Sequence, residues 1–199
     1  MPERFRIQRL SGPDLEPHLP ELARLRIRVF REFPYLYKGS AAYEEHYLKT
    51  YTDAPESVMV LVWDGERVIG ASSGLPLEGE PPSVVEPFVA RGYDPRRIFY
   101  YGESVLLPNY RGLGLGARFF EEREAHARVL GRFETVCFCA VERPADHPRR
   151  PADYAPLDAF WSRRGFRKRP DLRATFSWQD LDEAAESPKP MVFWLKSLR

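Results

Sequence analysis

Three glycines alternate in Arg111-Gly112-Leu113-Gly114-Leu115-Gly116, between an apolar, aromatic run ending at Pro108 and a helical pattern that starts at Leu115. No other feature of the chain restricts its fold as strongly. Without Cβ atoms, successive backbone N–H groups can converge on one anion, and the following helix adds roughly half a positive charge at its N-terminus. Arg111 places a full charge beside the loop, so the segment suits a doubly charged pyrophosphate.

The spelling has other readings. A glycine-rich turn without ligand satisfies it, and Gly112-Leu113-Gly114-Leu115-Gly116-Ala117 also fits the Gly-x-Gly-x-x-Gly/Ala pattern of dinucleotide-binding folds, with Glu142 as the acidic partner. Against that pattern, the loop lies mid-chain, after a hairpin, with too little sequence behind it for the remaining parallel strands.

Periodicity sets the elements around the loop. A strand at 5–9 closes in Ser11-Gly12-Pro13-Asp14, and helices follow at 19–33, stopped by Pro34, and at 41–51. Strands at 57–63 and 68–77 form a hairpin through Asp64-Gly65-Glu66-Arg67. The stretch 78–94 reads as a loop with a helical turn or two. A strand at 98–107, a helix at 115–130 ended by Gly131, and a buried strand at 135–141 form a strand, crossover, strand unit whose two strands should lie nearly parallel. A proline-rich excursion at 143–156, a short helix at 157–164 and late strands at 174–178 and 191–198 complete the chain.

At 199 residues, 43% apolar and 14% aromatic, the chain suits one domain, 1–199, with a sizeable core. Thirty basic residues against 29 acidic ones leave a net charge of +1, so no global field recruits nucleic acid or a membrane. Cys137 and Cys139 read as reduced core thiols rather than a vicinal disulfide or a metal site, and no metal is expected. The charged start, Met1 to Arg6, lacks a signal-peptide apolar stretch, which gives a cytoplasmic expectation.

The chain resembles the GCN5-related N-acetyltransferase (GNAT) superfamily. Arg111-x-x-Gly114-x-Gly116, preceded by Leu106-Leu107-Pro108, is similar to that family's acyl-CoA motif, and Phe160-Trp161-Ser162-Arg163-Arg164-Gly165-Phe166 looks like its downstream aromatic segment. The order of strands and helices extends the resemblance over nearly the whole chain. It implies an α/β (α+β) domain with a central, mixed, mostly antiparallel sheet of about six to seven strands and helices on both faces. The sheet opens between 98–107 and 135–141 to admit acetyl-CoA, the cosubstrate.

The resemblance also implies roles. Arg111, Gly112, Leu113, Gly114, Leu115, Gly116 and Ala117 would bind the pyrophosphate, Trp161 would contact the cosubstrate, and backbone N–H groups near Val105 and Leu106 would polarise the thioester. An amine of ordinary pKa, about 10, must lose a proton before attack, and Glu103 in the otherwise apolar strand is the preferred base; an arginine-paired structural role is the competing reading. Where many members carry a tyrosine that protonates the leaving thiolate, this chain has Trp161, so Tyr154 is the substitute acid, or else a packing tyrosine.

Phe33, Tyr35 and Tyr37 would line the acceptor pocket or simply cover the core. His147 reads as an exposed loop histidine. Arg143, Arg149 and Arg150, near Glu142 and Asp146, read as a solvated cluster rather than an anion clamp. The expected reaction moves acetyl from acetyl-CoA to a primary amine of a small molecule, amino acid or peptide, and the late strands could serve a homodimer. The alternative is a catalytically silent acyl-CoA-binding module.

Overall fold

The protein, described from a computed structural model over residues 4–199, is built on one seven-stranded sheet in the order β1-β2-β3-β4-β5-β7-β6. Residues 1–3 of the charged N-terminal stretch lie outside the described residues. The strands are β1 (Arg6–Leu10), β2 (Val58–Asp64), β3 (Arg67–Pro76), β4 (Ile98–Leu106), β5 (Thr135–Val141), β6 (Arg167–Trp178) and β7 (Ser187–Ser197). All neighbours pair antiparallel except β4 and β5, which run parallel because helix α4 (Leu115–Leu130) carries the chain across between them. That single parallel pair in an antiparallel sheet excludes the doubly wound dinucleotide fold.

The β2–β3 hairpin turns on Gly65, at φ 61°, as its Asp-Gly spelling requires. Helices α1 (Leu19–Phe30) and α2 (Ala41–Asp53) cover one face of the sheet. Arg26 of α1 reaches β4 on that face. Helix α4 covers the other face, where its Arg123 meets Tyr101. Within the 78–94 stretch, a regular helix, α3 (Pro82–Val89), packs Phe88 on Phe193 with centroids 4.8 Å apart. Its proline at the first turn is pre-set for a helix, which explains why a proline-rich segment forms one. Helix α5 is short, Asp158–Ser162.

Strand β6 begins seven residues earlier than its apolar pattern suggests. Its first half, Arg167 to Asp171, is mostly charged and exposed, and its pairing to β7 slips between Arg169 and Arg173. An edge strand needs no apolar alternation on its outer side, so periodicity alone misses it.

Two geometric features shape the centre. First, β4 and β5 pair only through Ile98↔Thr135, Phe99↔Val136 and Tyr100↔Cys137; beyond these rungs the strands diverge and leave an opening. Second, β3 and β4 slip register between Ser72↔Ser104 and Gly74↔Tyr101, so one extra residue of β4 bulges at Gly102–Glu103. The bulge reverses the side-chain alternation. Phe99 and Tyr101 face α4, but so does Ser104, and Glu103 turns to the α1–α2 face with Tyr100. A Cβ on Gly102 would collide with the Tyr51 hydroxyl, so the bulge requires glycine there.

No helix among the described residues is long and apolar enough to cross a membrane.

Candidate active site

The glycine loop forms a cradle of backbone donors. Gly112 at φ 78° and Gly114 at φ 82° are left-handed, a conformation that costs a Cβ-bearing residue about 1–2 kcal/mol. Gly114 caps α4, whose first returning bonds run from Ala117 and Arg118 to the Gly114 carbonyl. The N–H groups of Gly112, Leu113, Gly114, Leu115 and Gly116 meet no acceptor among the described residues. Five free donors at the positive end of a sixteen-residue helix fit a pyrophosphate. The Phe160 ring lies 3.4 Å from where a Gly116 Cβ would stand, so α5 closes one side of the loop.

Arg111 is turned away from this cradle. Its Nη1 donates to Glu32 at 2.8 Å and its Nε to the Leu106 carbonyl at 3.2 Å, which ties the loop to the segment after α1. The donors that the loop leaves free are therefore backbone groups.

From the loop, an open cleft of about 1940 Å³ runs into the divergence of β4 and β5. Because Leu107 N–H donates to Ile69, the alternation of β4 directs the Val105 N–H to β3 and the Leu106 N–H, with that of Ser104, into the opening. Of the two backbone positions expected near the thioester, only Leu106 points its N–H there. Trp161 stands on the far wall, 5.0 Å from Phe138 and 5.2 Å from Trp194 between centroids. Below the opening the Tyr100 hydroxyl meets Cys139 Sγ at 3.2 Å; burial raises both groups well above their ordinary values, and both cysteines are free thiols.

Arg123 supports the bulge from behind. Only 2% exposed, it donates to the carbonyls of Ser73 and Glu103 at 3.2 Å each, to Phe119 at 3.1 Å and to Ser104 Oγ at 2.9 Å, with its guanidinium on the Tyr101 ring. Burial without a carboxylate partner pushes its pKa down to about 10. The sequence gives no sign of this residue's role, since an arginine in a helix normally faces water.

Glu103 is buried in a polar cluster built from three elements. Its Oε1 pairs with Arg26 Nη1 at 2.5 Å, and its Oε2 accepts from Tyr47 and Tyr51 at 3.3 and 3.4 Å. Arg26 also binds Glu44, which is fully buried, and lies over the Tyr47 ring. Burial opposes the Arg26 charge, but Glu103, Tyr47 and Glu44 hold it protonated. The carboxylate expected to act as base is thus an ion-pair partner, and it still lines the cleft.

Glu80 is a cleft residue that sequence reading passes over, because it lies in Glu78-Gly79-Glu80-Pro81, a run that spells only a turn. Half-buried, it has no ion pair and its carboxylate takes no hydrogen bond among the described residues. Desolvation, with the charge of Glu103, raises its pKa to about 7.

The end of the cleft beyond the opening is walled by the segment after α1. Tyr35 packs on Phe30 and Trp178, and burial holds its hydroxyl well above the ordinary tyrosine range; burial and Glu44 do the same for Tyr37. Phe33 meets Tyr154 edge-on at 4.7 Å, so the proline-rich excursion touches this wall. Desolvation raises the Tyr154 pKa, and Arg150 covers its ring.

Two expectations for the excursion need correction. Arg143 is no solvated charge: it donates to the carbonyls of Pro34 and Tyr35 at 2.8 Å and pairs with buried Asp180 at 2.8 Å, fixing the wall to the segment just after β6. The Asp180 partner is 37 residues away, beyond the reach of local charge patterning. His147 is half-buried against Phe33 rather than exposed. Glu142 pairs with Lys168 and Arg173. Among the described residues no three His, Cys, Asp or Glu side chains group as metal ligands.

Comparison with known proteins agrees with this fold. The model of the acetyltransferase (GNAT) family matches residues 22–152. No curated protein matches the chain. Among solved structures, ribosomal-protein-alanine N-acetyltransferase from Brucella melitensis superposes with a TM-score of 0.62 at 15% identity, covering 97% of this chain and 99% of that one. The yncA protein of Salmonella typhimurium, a putative acetyltransferase solved with its cofactor acetyl-CoA, has a TM-score of 0.61 at 10% identity, covering 99% and 95%. An acetyltransferase from Thermus thermophilus scores 0.57 at 15% identity, covering 96% and 97%. At these identities the likeness is one of fold.

Proposed function

The chain belongs to the GNAT acetyltransferase family, and on that premise we propose that it transfers an acetyl group from acetyl-CoA to a primary amine of a small molecule or peptide by direct attack. The observation that carries this reading is the row of five free N–H groups at the mouth of the β4–β5 opening. Those donors would hold the pyrophosphate, and the pantetheine arm would enter beside β4, replacing the missing β5 rungs.

There the Leu106 N–H, aimed into the opening, would donate to the developing oxyanion on the thioester carbonyl. The amine enters from the side of Tyr35, Tyr37 and the buried carboxylates. Its nitrogen bonds to the carbonyl carbon, the C–S bond breaks, and the thiolate leaves. No covalent enzyme intermediate is required, because no paired nucleophile and base stands in the cleft.

Trp161 offers no acidic proton, and Tyr154 is the hydroxyl of the excursion that faces the acceptor wall. A free thiol has a pKa near 8.5, so the thiolate can also leave without a dedicated donor. That missing tyrosine is the specific point in favour of a silent acyl-CoA-binding module. A cytoplasmic location accords with the two reduced, buried thiols.

Release of CoA thiol from acetyl-CoA across an amine panel tests the proposal, with Gly114→Val as the control that removes cosubstrate binding. Turnover lost in the control supports acetyl transfer; tight CoA binding with no turnover for any amine supports the binding module.

A further inference from the structure

Acetyl transfer to an amine leaves one proton without a free acceptor in the cleft. Glu103 is held by Arg26 and two tyrosine hydroxyls, and Glu44 is fully buried on Arg26 as well. Glu80 alone among these three carboxylates has no partner, and it lines the cleft with Glu103, Tyr47, Tyr51 and Tyr100. It is delivered by the turn after β3, independently of the ion-pair cluster.

Resting on the acetyl-transfer reading, we propose that Glu80 is the base that takes the acceptor's proton, and that the acceptor is a cationic alkylamine with no carboxylate beside its amine. The charges decide the second part. Glu80 lines the cleft with Glu103 and Tyr100 from β4, Tyr47 and Tyr51 from α2, and Cys139 from β5, and the charge of Glu103 acts on it. Arg26 on α1 is the cation of the cluster, and it is shared between Glu44 and Glu103.

With Glu80 ionised, this part of the cleft lining carries three carboxylates, Glu44, Glu80 and Glu103, against two guanidinium groups, Arg26 and Arg123. An ammonium supplies missing positive charge, and the surrounding aromatic faces favour it further. The carboxylate of a free amino acid would enter against the same excess of negative charge. The proton balance closes: the ammonium gives one proton to Glu80, the neutral amine attacks, the nitrogen's next proton goes to the departing thiolate, and Glu80 releases its proton to water.

The pKa of about 7 places this base where it is half-ionised at neutral pH, with the acid side inactive. The experiment is the pH profile of kcat/KM from about pH 5.5 to about 9, at saturating acetyl-CoA. Parent, Glu80→Gln, Glu80→Asp and Glu103→Gln chains are compared on cadaverine against lysine, agmatine against arginine, and tyramine against tyrosine.

We expect activity to rise through about pH 7 in the parent, and at lower pH in Glu103→Gln, which lacks the charge that helps to raise Glu80. Glu80→Gln should lose that limb and at least about 100-fold in kcat. Glu80→Asp should restore part of the rate, and each amine should exceed its amino acid by at least about 10-fold. CoA binding by Glu80→Gln at the parent's affinity guards against misfolding.

A Glu80→Gln chain that keeps both limb and rate overturns the assignment while leaving acetyl transfer standing, as does an amino acid that outruns its decarboxylated counterpart. No turnover with any amine overturns acetyl transfer itself. Independently of turnover, a carbon-detected NMR titration must find the Glu80 carboxyl titrating near neutrality; a value below about pH 5 sinks the proposal.

Discussion

The two ends of the cleft are built from opposite materials. The end proposed to take the phosphates is backbone: left-handed glycines, five N–H groups and a helix start, all within a few consecutive residues, with the loop's own Arg111 turned toward Glu32. The end proposed to take the acceptor is side chains: Arg26, Glu44, Tyr47, Tyr51 and Glu103 from three elements, gathered around the Arg26 guanidinium, with half-buried Glu80 beside them in the cleft. A backbone site tolerates variation in side chains as long as its φ angles survive. A buried charge cluster tolerates almost none, because each member compensates another. The two ends should therefore fail differently when cut.

The largest effect belongs to the acceptor end. Arg26→Met leaves Glu44 and Glu103 buried without their cation, and removal of one partner from a buried pair costs about 3–5 kcal/mol. Denaturant unfolding at about pH 7.5 should register that loss. A loss under about 1 kcal/mol would mean that water reaches the cluster, and the contrast between the two ends would break.

Next comes Gly114→Val. A Cβ at Gly114 meets no atom within 4 Å, so the damage is confined to a φ of 82° that a β-branched residue resists. The loop should relax and misdirect its donors, weakening CoA binding by about 100-fold, or ~2.7 kcal/mol, with the fold retained. Calorimetric titration with CoA checks this. Unchanged affinity would move the phosphate site elsewhere.

The same contrast explains what could be read from the chain. The helix Leu115–Leu130 and the strand Thr135–Val141 lie where periodicity and glycine punctuation put them, because those signals are local. The loop's spelling states its own backbone conformation. Glu103 is visible as an acid in an apolar strand, but which face it joins depends on the bulge at Gly102, and that follows from the Tyr51 hydroxyl arriving from α2. Arg123 in an exposed-looking helix and Arg143 in a charged loop take their places from partners distant in sequence, and Glu80 in a turn is set in the cleft by the packing of other segments, so no window of sequence contains them.

Glu80→Gln sharpens the comparison through stability. The folded state raises this carboxyl from 4.5 to about 7, so it binds a proton more tightly than the unfolded chain does. Its favourable contribution is complete below about pH 4.5 and is lost as pH rises through about 7, after which a constant penalty remains. Glutamine removes that penalty, so the variant should match the parent near about pH 4 and exceed it near about pH 8 by about 1–2 kcal/mol, the half-exposed position being screened by water. Melting curves at the two pH values test it. A variant less stable than the parent on the alkaline side would show that Glu80 has a hidden partner and is another structural member of the cluster.

Arg111→Ala should have the smallest effect. Its guanidinium, about half exposed, pairs with an equally exposed Glu32, and such pairs contribute under about 1 kcal/mol. The five donors do not include it, so CoA affinity should fall by less than about 5-fold at about 0.15 M salt, with a slightly steeper loss at low salt where its charge is less screened. If alanine at this position instead weakens CoA as much as Gly114→Val does, the guanidinium must leave Glu32 for the phosphates on binding. The phosphate end would then be a side-chain site as well, and the ion pair to Glu32 would be a latch that cosubstrate opens.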